Sequence, residues 1–405
     1  MPNQTTALVL ALLVLAYAVV SERVSRSFIA PALIFLAVGT AFGPFGLHLL
    51  DAGPATDGYT VLAQLALTLI LFNQAAKMRF DRILEHGPVS LRLLVIGIPL
   101  TVVLGALTAA ALLPVLPWWE AVCLAAIVAP TEVALIDALL DDHRIPDRVR
   151  HALSVESGFY DGFALAILLA ALGLASEQGG RADAHWLRFI FSTEVLSLLV
   201  GGIVGLLGGM VVAWSRRREW MSDTWAQLAT LALAFICFVV GEHIEASGFV
   251  AAFTGGLAFS FVTRRRSDDV LSTQVSDAAA QLLELMVFAM FGAFAVIDGW
   301  RNADWRMVVF AVVAVFAVRI VAVLVSLLGT GLPMSSKLFI GWFGPRGIGT
   351  VVLGLLVINR GTLQHADVIA IAVVVVVTLS LVLHSLTAAP GIRWIGGKSP
   401  ATRPA

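Results

Sequence analysis

Residues 307–328 read MVVFAVVAVFAVRIVAVLVSLL, an apolar run with a single charge, Arg319, near its middle. About 20 consecutive apolar residues in a helix cross the hydrocarbon core of a bilayer, so this stretch is long enough to span one. Runs of the same kind recur along the whole chain. They divide it into thirteen approximate spans, at 6–20, 28–48, 59–76, 90–113, 119–139, 151–174, 189–214, 224–241, 247–262, 278–297, 307–330, 337–358 and 367–387. The composition agrees: of 405 residues, 59% are hydrophobic and only 13% charged, too little charge to cover a soluble domain of this size. The fold class implied is an all-α membrane protein.

Connections between spans are short and leave no room for a separate soluble domain. Residues 1–390 therefore read as one membrane domain, and residues 391–405 as a short polar cytoplasmic tail that is expected to be poorly ordered. The stretch from Thr6 to Val20 lacks a basic region before it and a small-residue cleavage pattern after it, so it reads as a first membrane helix rather than a signal peptide. Cys123 and Cys237 both fall inside apolar runs and suggest neither a disulfide framework nor a thiolate metal site.

Basic residues test the division independently. Arg23 and Arg26 fall in the first loop, Lys77, Arg79 and Arg82 in the third, and Arg144, Arg148 and Arg150 in the fifth. Arg216, Arg217 and Arg218 follow in the seventh, Arg264, Arg265 and Arg266 in the ninth, and Lys337 in the eleventh. Arg393, Lys398 and Arg403 are in the tail, whereas the even loops hold only Arg181, Arg188, Arg301, Arg306 and Arg360. Positive charge accumulates on the cytoplasmic side, which sets the N-terminus outside and the C-terminus inside.

Several polar groups lie where apolar burial gives no reason for them. In the fifth span, Pro130 cannot donate a backbone hydrogen bond and should kink or interrupt the helix. Thr131 and Glu132 follow at once, where freed backbone groups can face a polar cavity; Asp137 reads as an interfacial charge. In the sixth span Glu156 and Asp161 are about 140° apart around a helix, so they need not share a face. A buried carboxyl binds either a proton or a cation, and the two compete for one charge. Asp161 is the leading candidate for such a role. Arg319 needs an acidic or carbonyl partner at that depth, and Glu156 is the natural one.

The twelfth span contains GWFGPRGIGTVVLG, in which Gly344, Pro345, Gly347 and Gly349 argue against a straight helix. Arg346 reads either as a cap for exposed carbonyls or as an interfacial charge. Together the two broken regions look like paired discontinuous helices in two halves of a transporter, an order compatible with inverted repeats. Glu284 reads as a crevice residue or a cap, Asn73 and Gln74 as interhelical hydrogen-bonding groups, and the run GGIVGLLGG at 201–209 as a surface for close helix packing. No nucleotide-binding or phosphate-binding fingerprint and no nucleophile–base arrangement stands out, so neither an enzyme nor an ATP-driven pump is expected, and no nucleic acid partner.

These motifs, in their order and spacing, resemble the bacterial sodium/proton antiporters of the monovalent cation:proton antiporter-1 family. The resemblance rests on SRSFIAPALIFLAVGTAFGP near the start, APTEVA, ESGFYDGFA, ASGFVAAFTGGLAFS, the membrane arginine at 319 and GPRGIGTVVLG. It implies thirteen helices, crossed and partly unwound in an ion-translocating core, and a homodimer formed through the rest of the bundle. It carries ion binding to Asp161, with Ser157, Thr131 and Glu132 beside it, and makes Glu156 and Arg319 a structural pair. Arg346 matches the arginine of the family's later glycine-rich motif. Two departures stand out: Tyr160 precedes Asp161 where the family usually has Asn, and Glu132 follows Thr131 where it usually has Asp.

The function expected from the resemblance is secondary exchange of Na+ (or Li+) for H+ by alternating access in a bacterial inner membrane. The alternatives are a K+/H+ antiporter and a transport-inactive sensor or scaffold. No cofactor is expected; the metal ion, held by Asp161, Ser157 and Thr131, would be the transported substrate.

Overall fold

The computed structural model describes residues 3–25, 29–50, 57–78, 88–132, 142, 144–176, 184–266 and 273–397. All of its regular structure in that range is helical. Helices α1 (Asn3–Ser25), α2 (Pro31–Phe42) and α3 (Asp57–Lys77) open the chain. Helix α4 runs from Pro88–Arg92 through a π-turn at Leu93–Gly97 into Ile98–Leu112, and the short α5 (Trp118–Val128) follows. Next come α6 (Asp147–Ser176), α7 (Ala184–Arg217), α8 (Asp223–His243) and α9 (Gly248–Arg266). Helix α10 joins Gln274–Phe291 through Gly292–Val296 to Ile297–Asn302, and α11 joins Trp305–Val312 through Val313–Val318 to Arg319–Ser326. Helices α12 (Met334–Trp342), α13 (Ile348–Arg360) and α14 (Ala366–Gly396) complete the chain.

Among the described residues nine helices are long and apolar enough to cross a membrane, and four further apolar helices are shorter. The protein is a multi-pass membrane protein. Its helices associate without help from water, so close backbone approach and interhelical hydrogen bonds do the work. Gly201 and Gly205 of α7 lie directly against the backbone of Ala251 and Gly255 of α9, which is where the 201–209 glycine run is used. Gly39 of α2 meets the backbone of α10 at Ala289 in the same way. At the other extreme, Leu8, Leu12, Leu15 and Val19 of α1 and Leu199, Ile203 and Val211 of α7 turn outward.

The interruption expected at Pro130 is present: α5 stops at Val128 and residues 129–132 are non-helical, while Asp137 lies outside the described residues. Two sequence expectations change. Glu284 is buried in the interior of α10, so it does not cap that helix. The final helix does not end at residue 387 but continues through Pro390 to Gly396. Its last turns are held because Ile392 and Ile395 are buried in an apolar cluster with Val149, Leu153, Phe339 and Phe343.

Candidate functional site

Two breaks in helical structure meet in the interior. One is residues 129–132 after α5, the other residues 343–347 between α12 and α13. A break leaves backbone donors and acceptors without their helical partners, and inside a membrane each must be satisfied by protein. Here the breaks satisfy one another. The Glu132 N–H donates to the Pro345 carbonyl at 2.7 Å. The Ile348 N–H, at the start of α13, donates to Glu132 Oε2 at 2.7 Å. Arg346 Nη1 donates to the carbonyls of Ala129 and Pro130, the latter at 3.2 Å. Arg346 thus supplies positive charge where carbonyls collect, and Glu132 supplies negative charge at a helix N-terminus, each matching the local dipole.

Helix α6 passes beside both breaks. Ser157 Oγ donates to the Thr131 carbonyl at 2.9 Å. The Thr131 hydroxyl is buried and has no hydrogen-bond partner among the described residues. One helical turn beyond Ser157, Asp161 is only 7% exposed. The Gln74 side chain of α3 lies beside Asp161, and Glu132 is close enough for the two carboxyl groups to interact electrostatically. Ser157, Thr131, Glu132 and Asp161 are therefore brought together, and Pro130 lies in the break that frees the Thr131 carbonyl to accept from Ser157.

Tyr160 is fully buried but faces another way. Its electrostatic neighbours are Arg346, Arg319 and Glu156. On that side Arg319 forms a forked ion pair with Glu156, Nη1 to Oε1 at 2.8 Å and Nη2 to Oε2 at 3.2 Å. Arg319 Nη2 also reaches the Ile340 carbonyl at 3.3 Å, near the C-terminal end of α12. Asp161 takes no part in these contacts.

The glycine-rich segment has a use that reading it as a helix breaker misses. A Cβ at Gly344 would run into the Arg319 guanidinium, one at Gly347 into the Glu132 carboxylate, and one at Gly349 would lie 2.8 Å from Asp161 Oδ1. Three glycines each leave room for a different charged side chain. Sequence reasoning also missed the link from Gln74 to Asp161. The only sequence signal for it was a polar residue in an apolar span, and its partner is on a distant helix. Nothing in the described residues groups three or more His, Cys, Asp or Glu side chains as a metal centre.

The family model for the transmembrane sodium/hydrogen exchanger matches residues 8–394. The chain belongs to the sodium/hydrogen exchanger family. Within that family it is 28% identical over 381 residues to a K(+)/H(+) antiporter NhaP of Alkalimonas amylolytica, covering 93% of this chain and 64% of that protein. It is 27% identical over 351 residues to a probable Na(+)/H(+) antiporter of Schizosaccharomyces pombe, covering 80% of this chain and 45% of that protein. The chain thus spans roughly half to two thirds of the length of these curated relatives. Among solved structures, the sodium proton antiporter MjNhaP1 of Methanocaldococcus jannaschii superposes with a TM-score of 0.79 at 19% identity, over 98% of this chain and all of that one. At that identity the similarity speaks for the exchanger fold alone.

Proposed function

We propose that this exchanger is a secondary antiporter that trades Na+ or a similar monovalent cation for H+, with Asp161 as the group both compete for. One observation carries the reading. A buried carboxylate sits where two helix breaks meet, beside Ser157 and an unpartnered Thr131 hydroxyl. Hard oxygen ligands of this kind suit an alkali cation. A proton and a cation neutralise the same buried charge, so occupancy by one expels the other. Glu132, tied by one oxygen to the N-terminus of α13, tunes the site rather than carrying the proton. Tyr160 bears on it from the arginine side. Glu156, Arg319 and Arg346 hold the broken helices.

In a fold of thirteen membrane helices, alternating access would come from the ion-translocating core, with its crossed discontinuous pair related by inverted repeats, moving against the remaining bundle. The outward-turned apolar faces of α1 and α7 suit lipid or a second copy of the chain, consistent with a homodimer. The charge asymmetry of the loops supports an outer N-terminus and a cytoplasmic C-terminus, here in a bacterial inner membrane.

A second reading, K+/H+ exchange, is favoured by the relative in Alkalimonas amylolytica and by Glu132 and Tyr160, which depart from the pattern the sequence resembles. Reconstitution into proteoliposomes with imposed pH gradients and Na+, Li+ or K+ outside tests both. The wild type should collapse the gradient with one or more cations, and Asp161→Asn should not, while eluting as folded protein. Full exchange by Asp161→Asn would refute the assignment of the site. No flux with any cation would favour a transport-inactive sensor.

A further inference from the structure

Helix α14 lies outside every role assigned so far, yet one of its faces is polar inside an otherwise apolar segment. Ser380, His384 and Thr387 recur at the i, i+4, i+7 spacing that aligns side chains on one helical face. All three face the 343–347 break. Thr387 Oγ1 accepts a hydrogen bond from the Trp342 indole at 3.0 Å. His384 Nε2 is 2.8 Å from the Trp342 carbonyl, at the end of α12. Ser380 Oγ accepts the Arg346 N–H at 2.8 Å, just before α13 begins.

The chemistry at the imidazole is constrained. Both ring nitrogens stand near a carbonyl, which can only accept, and in the tautomer protonated at Nε2 the imidazole donates to Trp342. Nδ1 stands 3.1 Å from the Ser380 hydroxyl and 2.8 Å from the Ser380 carbonyl. Ser380 and His384 therefore touch each other and also grip the two sides of one break: the last carbonyl of α12 and an amide ahead of α13. Both are backbone groups that an unbroken helix would have paired internally. The side chain of the same Arg346 whose amide is held in this way reaches across to the Ala129 and Pro130 carbonyls.

We propose that Ser380 and His384 are positioning residues of the ion site, a two-residue clamp that fixes the 343–347 break so that Arg346 can hold the facing break at 129–132. The inference rests on the antiport reading for its functional consequence and on the hydrogen bonds alone for its structural one. The clamp reaches Asp161 only indirectly, through Arg346 and then the backbone beside Thr131. Its loss should loosen cation binding without abolishing exchange.

The test compares wild type, Ser380→Ala, His384→Leu, the double variant and His384→Gln, whose amide can donate to the Trp342 carbonyl. Na+-driven proton flux in proteoliposomes gives apparent KM and maximal rate, and hydrogen–deuterium exchange follows the amides of residues 343–348. Each single loss should raise the KM for Na+ about three- to tenfold, the worth of one hydrogen bond, and speed amide exchange at the break. The double variant should be little worse than either single one, because the two residues act as a unit, and His384→Gln should recover much of the loss. Unchanged KM and exchange in both single variants, or effects that multiply in the double variant, overturn the clamp. If His384→Leu does not fold, Ser380→Ala, which removes one oxygen, decides alone. If the wild type carries no flux, the antiport reading falls, and amide exchange still decides the clamp.

Discussion

Arg319 and Glu156 face each other as a two-pronged ion pair at 2.8 and 3.2 Å, with Arg319 1% and Glu156 3% exposed. The geometry is the bidentate one that makes guanidinium–carboxylate contacts strong and specific. It joins α6 to α11 and, through Ile340, to the end of α12. Removing one partner leaves the other charged and buried, a loss of about 3–5 kcal/mol. Arg319→Ala should therefore lower folded yield and melting temperature sharply, as measured in detergent by thermal unfolding. Adding Glu156→Gln should restore part of the loss, since it removes the stranded charge. A single variant as stable as the wild type would contradict the structural role.

Gly349 is a second point of leverage, because its Cβ would lie 2.8 Å from Asp161 Oδ1. Gly349→Ala adds no charge and suits a helix better than glycine does. It should nonetheless weaken cation binding by displacing the carboxylate, with folding retained. Apparent KM for Na+ or K+ in proteoliposomes checks this. A Gly354→Ala control on the same helix, where the nearest contact is the Val373 side chain at 3.3 Å, should have a smaller effect.

Glu132 has a capping duty that separates its charge from its hydrogen bond. Glu132→Ala strips the Ile348 N–H of its acceptor at the start of α13, a loss of about 1–2 kcal/mol for a helix cap. Glu132→Gln keeps an acceptor oxygen and should retain most of that stability while changing the response of transport to pH. Melting temperatures together with flux measured across a pH series distinguish the two effects. Equal destabilisation by both substitutions would show that the carboxylate charge, not the hydrogen bond, holds the helix start.

Competition at one carboxyl has a quantitative signature. Where Asp161 is mostly protonated, each pH unit of acidification should raise the apparent KM for the cation about tenfold, as one proton displaced per cation requires. Toward alkaline pH the KM should level off, because the proton no longer competes. A slope near one hundredfold per unit would implicate a second titrating group, with Glu132 the first to examine.

How far the sequence could be read depended on the physics of each feature. Apolar runs were legible because crossing a bilayer sets a minimum length for a helix. The positions of Arg319, Glu156 and Asp161 were legible because a charge in such a run is costly and must have a use. Pro130 and the 344–349 glycines announced their breaks through backbone chemistry. Ser380 and His384 were not singled out, and Gln74 was read as an interhelical hydrogen-bonding group without its partner. Each is an unremarkable polar residue locally, and only its partner, dozens of residues away, gives it meaning.

By itself, then, the sequence determined that the chain is a membrane-embedded helical bundle with charges and two helix breaks inside it, because solvation costs act on each segment separately. Only the tertiary structure decided which partners those groups take. It set Glu132 on the first amide of α13, Arg346 on the carbonyls after α5, and Tyr160 on the arginine side rather than beside Asp161. Hydrogen bonds and ion pairs between helices depend on distance and direction in space, and spacing along a single segment does not specify either.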